Sequence, residues 1–230
     1  MDIEKIRADT PGAEKIIHLN NCGAGLMPQP VLDALISHLR LEAEIGGYEA
    51  ENAASDALAN TYGALARMLN CHTDEIAVVE NATVAWDMVF YGLPMGPGDV
   101  VLTAVSEYAS NYIAYLQRAE RDGIEVRVVP NDNSGQTDAA ALAEMIDDRV
   151  KLISITHVPT NGGLINPAAA IGKVARAANV PYLLDACQSA GQMPLDVEAI
   201  GCDMLSGTGR KFLRGPRGTG FLYVRSSILD

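Results

Sequence analysis

Short apolar runs alternate with longer stretches in which apolar residues recur every three or four positions. The short runs predict strands at Ile76–Val79, 99–104, 124–129, Val150–Thr156, 180–185, 203–205 and Gly220–Val224, the first of them buried. The longer stretches predict helices over 31–45, 51–69, 82–93, after Tyr108, 138–147 and 167–178. Pro30 suits a first helical turn, Gly46 and Gly47 end that helix, and Tyr48 falls in a linker. Thr137 is the expected cap of the 138–147 helix. Residues up to about 17 form a polar lead-in with helical bias, and the Asn, Gly and Pro of 20–30 predict an irregular loop. Strands alternating with helices imply an α/β fold around a mostly parallel sheet with helices on both faces, with ligand sites at the carboxyl ends of the strands.

Composition narrows the function. The 230 residues hold 17 Lys and Arg against 29 Asp and Glu, a net charge of −12. That balance argues against nucleic acid or an anionic membrane as the main partner. No apolar run is long enough to span a bilayer, and the N-terminus lacks the apolar core of a signal peptide. Cys22, Cys71, Cys187 and Cys202 are widely spaced and the four histidines show no metal-ligand spacing. The expectation is a reduced, cytoplasmic protein without disulfides or a metal site. The glycine patterns of a dinucleotide-binding turn and of a P-loop are absent, as is G-x-S-x-G.

Chemistry concentrates between Val180 and Tyr223. An apolar run stops at Asp185, and a second stops at a Ser/Gly/Thr loop that carries Arg210 and Lys211. A lysine with a depressed pKa forms a Schiff base with an aldehyde, and burial together with the neighbouring cation Arg210 would depress it. An acid facing a pyridine nitrogen keeps that nitrogen protonated. These are a protein's two handles on pyridoxal phosphate (PLP). Upstream, Ala82 and Thr83 open a helix after a strand, a place where exposed N–H groups and the positive helix end favour a phosphate.

The segments D-A-C-Q at 185–188, S-G-T-G-R-K at 206–211 and G-P-R-G-T-G-F-L-Y-V at 215–224 resemble the class V aminotransferase family of fold-type I PLP enzymes, which includes cysteine desulfurases and C–S lyases. The resemblance implies Lys211 as the Schiff-base lysine, Asp185 on the pyridine nitrogen and Gln188 on the ring hydroxyl. It implies a phosphate site made by Ala82, Thr83 and Ser206, joined by Thr208 and Arg210. Tyr108 takes the place where desulfurases hold a histidine over the ring, and it stacks with a much higher unperturbed pKa, about 10. Either Thr160 or Asn161 would supply the loop residue near the ring hydroxyl and substrate carboxylate. Asn21, Gly23 and Ala24 would lie beside the substrate. His157 is read as a support for its loop. The expected organisation is a lead-in with substrate-side loop over 1–30 and a PLP-binding large domain over 31–230, with the family's small C-terminal domain missing. The implied activity is that of a cytoplasmic homodimer acting on an amino acid, as a C–S lyase or desulfurase-like enzyme. A true aminotransferase and an inactive PLP-fold scaffold are the alternatives.

Overall fold

The computed structural model describes residues 2–229. Seven strands form one sheet: β1 (Ile76–Val79), β2 (Val100–Ala104), β3 (Glu125–Val129), β4 (Val150–Thr156), β5 (Tyr182–Asp185), β6 (Met204–Thr208) and β7 (Gly220–Val224). Their order is β1-β7-β6-β5-β4-β2-β3. Only β7 runs against the rest, pairing antiparallel with both β1 and β6. The helices are α1 (Ile3–Ala8), α2 (Gln29–Ile45), α3 (Gly47–Ala53), α4 (Ser55–Leu69), α5 (Ala82–Gly92), α6 (Ala109–Asp122), α7 (Ala139–Glu144), α8 (Ala168–Ala178) and α9 (Val197–Ile200).

Strand alternation builds two cores. On one face Leu102, Ile153, Ile155, Leu184 and Leu205 pack with Leu69 of α4 and Ile171 of α8. On the other, Val101, Leu152, Leu183 and Met204 pack with Trp86 and Phe90 of α5 and Tyr115 of α6. Successive residues of a strand point to opposite faces, so β2 and β5 read as nearly continuous apolar runs because both faces are covered.

Four sequence expectations change. β1 is an edge strand: Ile76 is buried, but Ala77 and Val78 are exposed. The stretch 51–69 is not one helix. Gly46 ends α2, α3 starts at once and carries Tyr48, and the chain breaks again at Ala54 before α4. β6 runs through Ser206, Gly207 and Thr208, because Ser206 pairs with Leu222, Gly207 with Phe221 and Thr208 with Gly220. The cap of α7 is Asp138, whose carboxylate accepts from the N–H groups of Ala140 and Ala141. Thr137 instead donates from its N–H and hydroxyl to Asn166 Oδ1, at 2.9 Å each.

Candidate active site at the carboxyl ends of the central strands

Asp185 ends β5, in register with Thr156 on β4 and Ser206 on β6. It is 4% exposed, and both carboxylate oxygens are engaged. Oδ1 accepts from the Cys187 N–H at 2.9 Å and Oδ2 from the Asn111 amide at 3.1 Å. These two bonds and the pairing with β4 and β6 fix the direction in which the carboxylate faces.

Lys211 lies in the turn after β6 and is also 4% exposed. Among the described residues it makes no ion pair; its ammonium sits 5.5 Å from the centre of the Tyr108 ring. A buried lysine without an acid partner is costly unless it has other work. Tyr108 stands immediately before α6, partly exposed, on the wall of a cleft of about 890 Å³. Thr160, Asn161 and Glu107 line the same cleft.

Gln188, 3% exposed, donates from Nε2 to the Thr160 hydroxyl at 3.2 Å and to the Cys22 carbonyl at 3.3 Å. Its Oε1 has no partner, and neither do Ser206 Oγ and His157 Nδ1. Each of these three buried polar atoms, on strand ends and the loop after β5, lacks a partner that a polar ligand can supply. His157 is held neutral: burial pushes its pKa down to about 4. Its N–H donates to the Asp185 carbonyl and its carbonyl accepts from Asn166, both as backbone links, in keeping with a supporting role.

Ala82 and Thr83, expected at the phosphate, open α5. The helix is capped by Asn81, whose side chain accepts from the Val84 N–H at 2.9 Å. Thr83 is therefore free of the capping duty, and its hydroxyl lies 3.4 Å from that of Ser110 on α6. A Cβ at Gly220 would meet the Asn81 carbonyl carbon at 2.5 Å, so only glycine lets β7 come this close to the helix start. Thr208, 3% exposed, bonds the Thr219 carbonyl at 3.3 Å.

The substrate-side loop reaches the site through the lysine turn. Arg210 donates to the Gly23 carbonyl. Gly25 N–H donates to the Arg210 carbonyl at 2.8 Å, and a Cβ on Gly25 would come within 2.4 Å of the Lys211 carbonyl. Arg214 ties down the same segment, donating to the Leu26 carbonyl at 2.8 Å and the Thr10 hydroxyl at 2.6 Å. Ala24 is fixed through its carbonyl, 2.7 Å from His18 Nε2. Asn21 lines a separate cavity of about 290 Å³ between α1 and residues 212–214.

Two residues of this cluster escaped the sequence reading, Glu107 and Asn111. Glu107 accepts from the Thr156 N–H at 2.8 Å, the Thr156 hydroxyl at 2.9 Å and the Asn111 amide at 3.3 Å. Burial, then the charge of Asp185, pushes its carboxyl up to about 7 against the pull of those three donors. The only signal for the pair was their i, i+4 spacing at the start of α6.

Compared with known proteins, residues 17–230 match the family Aminotransferase class-V. The chain belongs to this class V aminotransferase family. It is 32% identical over 231 residues to a probable cysteine desulfurase of Methanothermobacter thermautotrophicus, covering 99% of this chain and 58% of that protein. It is 31% identical over 222 residues to a probable cysteine desulfurase of Synechocystis sp., covering 94% and 53%. Among solved structures, a C-DES mutant with glycine covalently linked to the PLP cofactor superposes with a TM-score of 0.90 at 29% identity, covering 97% of this chain and 60% of that one. The complex between the cystine C-S lyase C-DES and its reaction product cysteine persulfide gives 0.89 at 29% identity, covering 96% and 60%. This class V chain thus spans just over half the length of the curated relatives it matches. Its seven-stranded sheet and helices form the large domain of a fold-type I PLP-dependent transferase.

Proposed function

We propose that this chain is the PLP-binding large domain of a class V enzyme that cleaves C–S bonds in cysteine-type amino acids, as a desulfurase or C–S lyase. The observation that carries the reading is the pairing of a buried, unpaired Lys211 with a buried, doubly hydrogen-bonded Asp185 beside three unpartnered polar atoms. That donor and acceptor set fits PLP. Ser206 Oγ and the Ala82–Thr83 helix start supply phosphate donors, Gln188 faces the ring oxygen, and Asp185 faces the ring nitrogen. Support also comes from relatives named cysteine desulfurase and from the cystine C-S lyase structure.

When bound, the protonated cofactor ring withdraws electrons from the substrate's α-carbon. Asp185 would face the ring nitrogen and hold the proton there, its carboxylate kept in place by its two N–H donors. Lys211 would hold the cofactor's aldehyde carbon through its amine and, once free, would move the proton at the substrate's α-carbon. Tyr108, whose ring lies 5.5 Å from the Lys211 amine, would supply an aromatic wall beside the cofactor. Thr160 and Gln188 orient ring and substrate together, because they are bonded to each other. Gly23 and Ala24 would close the substrate side, on a loop held by Arg210 at Gly23 and by Arg214 at Leu26, while Asn21 faces the separate cavity beside α1. We place the enzyme in the cytoplasm as a homodimer. Among the described residues the four cysteines are free, and no helix is long and apolar enough to cross a membrane.

The test is an absorbance spectrum with added PLP, before and after borohydride, beside Lys211→Ala. A visible band that borohydride traps and Lys211→Ala abolishes is the expected outcome; no band in the unsubstituted protein would overturn the cofactor reading. Sulfide, alanine and pyruvate release from cysteine and its conjugates, measured on a chain extended to the relatives' full length, then separates C–S cleavage from transamination. Release of none of the three would sink the C–S assignment.

A further inference from the structure

We infer that Glu107 and Asn111 form a positioning relay that aims the Asp185 carboxylate at the cofactor's ring nitrogen. The inference rests on the PLP reading above and deepens it. Asn111 is 2% exposed, and its amide nitrogen lies 3.3 Å from Glu107 Oε2 and 3.1 Å from Asp185 Oδ2. An amide nitrogen has two hydrogens, so one goes to each carboxylate. Only the nitrogen side of the amide can face two carboxylates at once, and this fixes which way the side chain is turned.

Glu107 is in turn immobilised by β4. The Thr156 N–H and hydroxyl both donate to it, and Thr156 is the residue paired with Asp185 across the sheet. The relay therefore closes a ring from β4 through α6 to β5. It ties the start of α6, where Tyr108 stands, to the acid that holds the ring proton. Without Glu107 the Asn111 amide could rotate and Asp185 Oδ2 would lose a fixed donor.

The placement of a second acid beside Asp185 is otherwise hard to justify, since like charges repel in a buried site. The titratable groups facing Glu107 are Asp185 from β5, Tyr115 from α6 and Tyr182 from β5. Both tyrosines are pushed upward by burial and stay neutral. Burial and the neighbouring Asp185 push the Glu107 carboxyl up to about 7.

Three variants test the relay in the PLP-loaded protein: Glu107→Gln, Asn111→Leu and the double. Read above pH 7, where Glu107 accepts through both oxygens, Glu107→Gln keeps volume but puts an NH2 donor where one of those acceptors stood. Two quantities are read: the PLP dissociation constant, and the 15N shift of ring-labelled PLP, which reports ring-nitrogen protonation. Loss of a charge-assisted hydrogen bond weakens binding by about tenfold or more. Each single variant is expected to show that weakening and to move the 15N shift towards the unprotonated ring. The double is expected to bind no worse than Asn111→Leu alone, because Glu107 acts through Asn111. Thr156→Val, which removes only the hydroxyl's bond to Glu107, should move both readouts less and in the same direction. Folded variants with unchanged affinity and 15N shift, or a double whose losses multiply, would overturn the relay and leave the PLP reading standing. Failure of the unsubstituted protein to bind PLP would overturn both.

Discussion

Glu107 and His157 lie beside Asp185 on neighbouring segments, and their environments displace their ionisation in opposite senses. Glu107 rises from 4.5 to about 7. Between those values the folded state binds more protons than the unfolded chain, so stability is fully present below 4.5 and is lost as pH rises through 7. His157 falls from 6.5 to about 4. There the unfolded chain binds more protons, so stability is full above 6.5 and is lost as pH falls towards 4. Each shift corresponds to up to ~3 kcal/mol, at about 1.4 kcal/mol per pKa unit. Between pH 4.5 and 6.5 the two slopes oppose each other. The urea midpoint of the protein should vary less with pH there than that of either single variant. Glu107→Gln should lose stability on acidification from 6.5, and His157→Gln should gain it. Variants whose pH profiles run parallel to that of the unsubstituted protein would refute both assignments.

At the scale of elements, one buried side chain ties α6 to the end of α5. Arg118 of α6 is 4% exposed and donates to the carbonyls of Phe90 at 2.8 Å, Leu93 at 3.1 Å and Met95 at 3.0 Å. Asp122 neutralises it from one turn further along, at 2.8 Å. A helix C-terminus leaves carbonyls without partners, and here a buried guanidinium supplies them from the neighbouring helix. Arg118→Leu should cost about 3 kcal/mol or more, because carbonyl oxygens lose charge-assisted bonds in a buried place. Arg118→Lys should recover little of it, since an ammonium cannot reach three separated acceptors as a planar fork does. Thermal or urea denaturation of the two variants checks this, and a full rescue by lysine would contradict the fork argument. The strands were legible in the sequence where local pattern and environment agree. β1, β4 and β7 have the predicted limits, since apolar, β-branched or aromatic runs end at turn residues. β6 was not, because Ser206, Gly207 and Thr208 have loop chemistry and their extended form is imposed by pairing with β7. The break at Ala54 was hidden for the opposite reason: alanine carries the strongest helix propensity of any residue. Lys211 and Asp185 could be proposed from the sequence because their flanking motifs are contiguous. Asn111 was not, since its meaning depends on a partner 74 positions away.

For the whole molecule, the homodimer proposal turns on a face that the fold leaves uncovered. None of the residues of α2 is buried, and the consecutive helices α2, α3 and α4 expose Leu39, Ile45, Tyr48 and Leu58 at 62%, 46%, 83% and 47%. Exposed apolar side chains that gather on one surface favour association, and these helices are the surface the homodimer proposal assigns to it. Opposing association is the net charge of −12, which makes two copies repel. The two effects respond differently to salt. Raising ionic strength from about 0.01 M to about 0.15 M shortens the screening length from about 30 Å to about 8 Å, while apolar attraction persists. Self-association through this face should therefore strengthen with salt. Light scattering across that range should show a dimer fraction that grows as salt is added. Leu39→Glu should reduce it at every salt concentration, by placing a charge where an apolar contact is required. Association that weakens with salt would point to ion pairs at some other surface. A monomer throughout would remove the second subunit from the proposal and leave Lys211, Asp185 and the cleft beside Tyr108 as a site built from one chain.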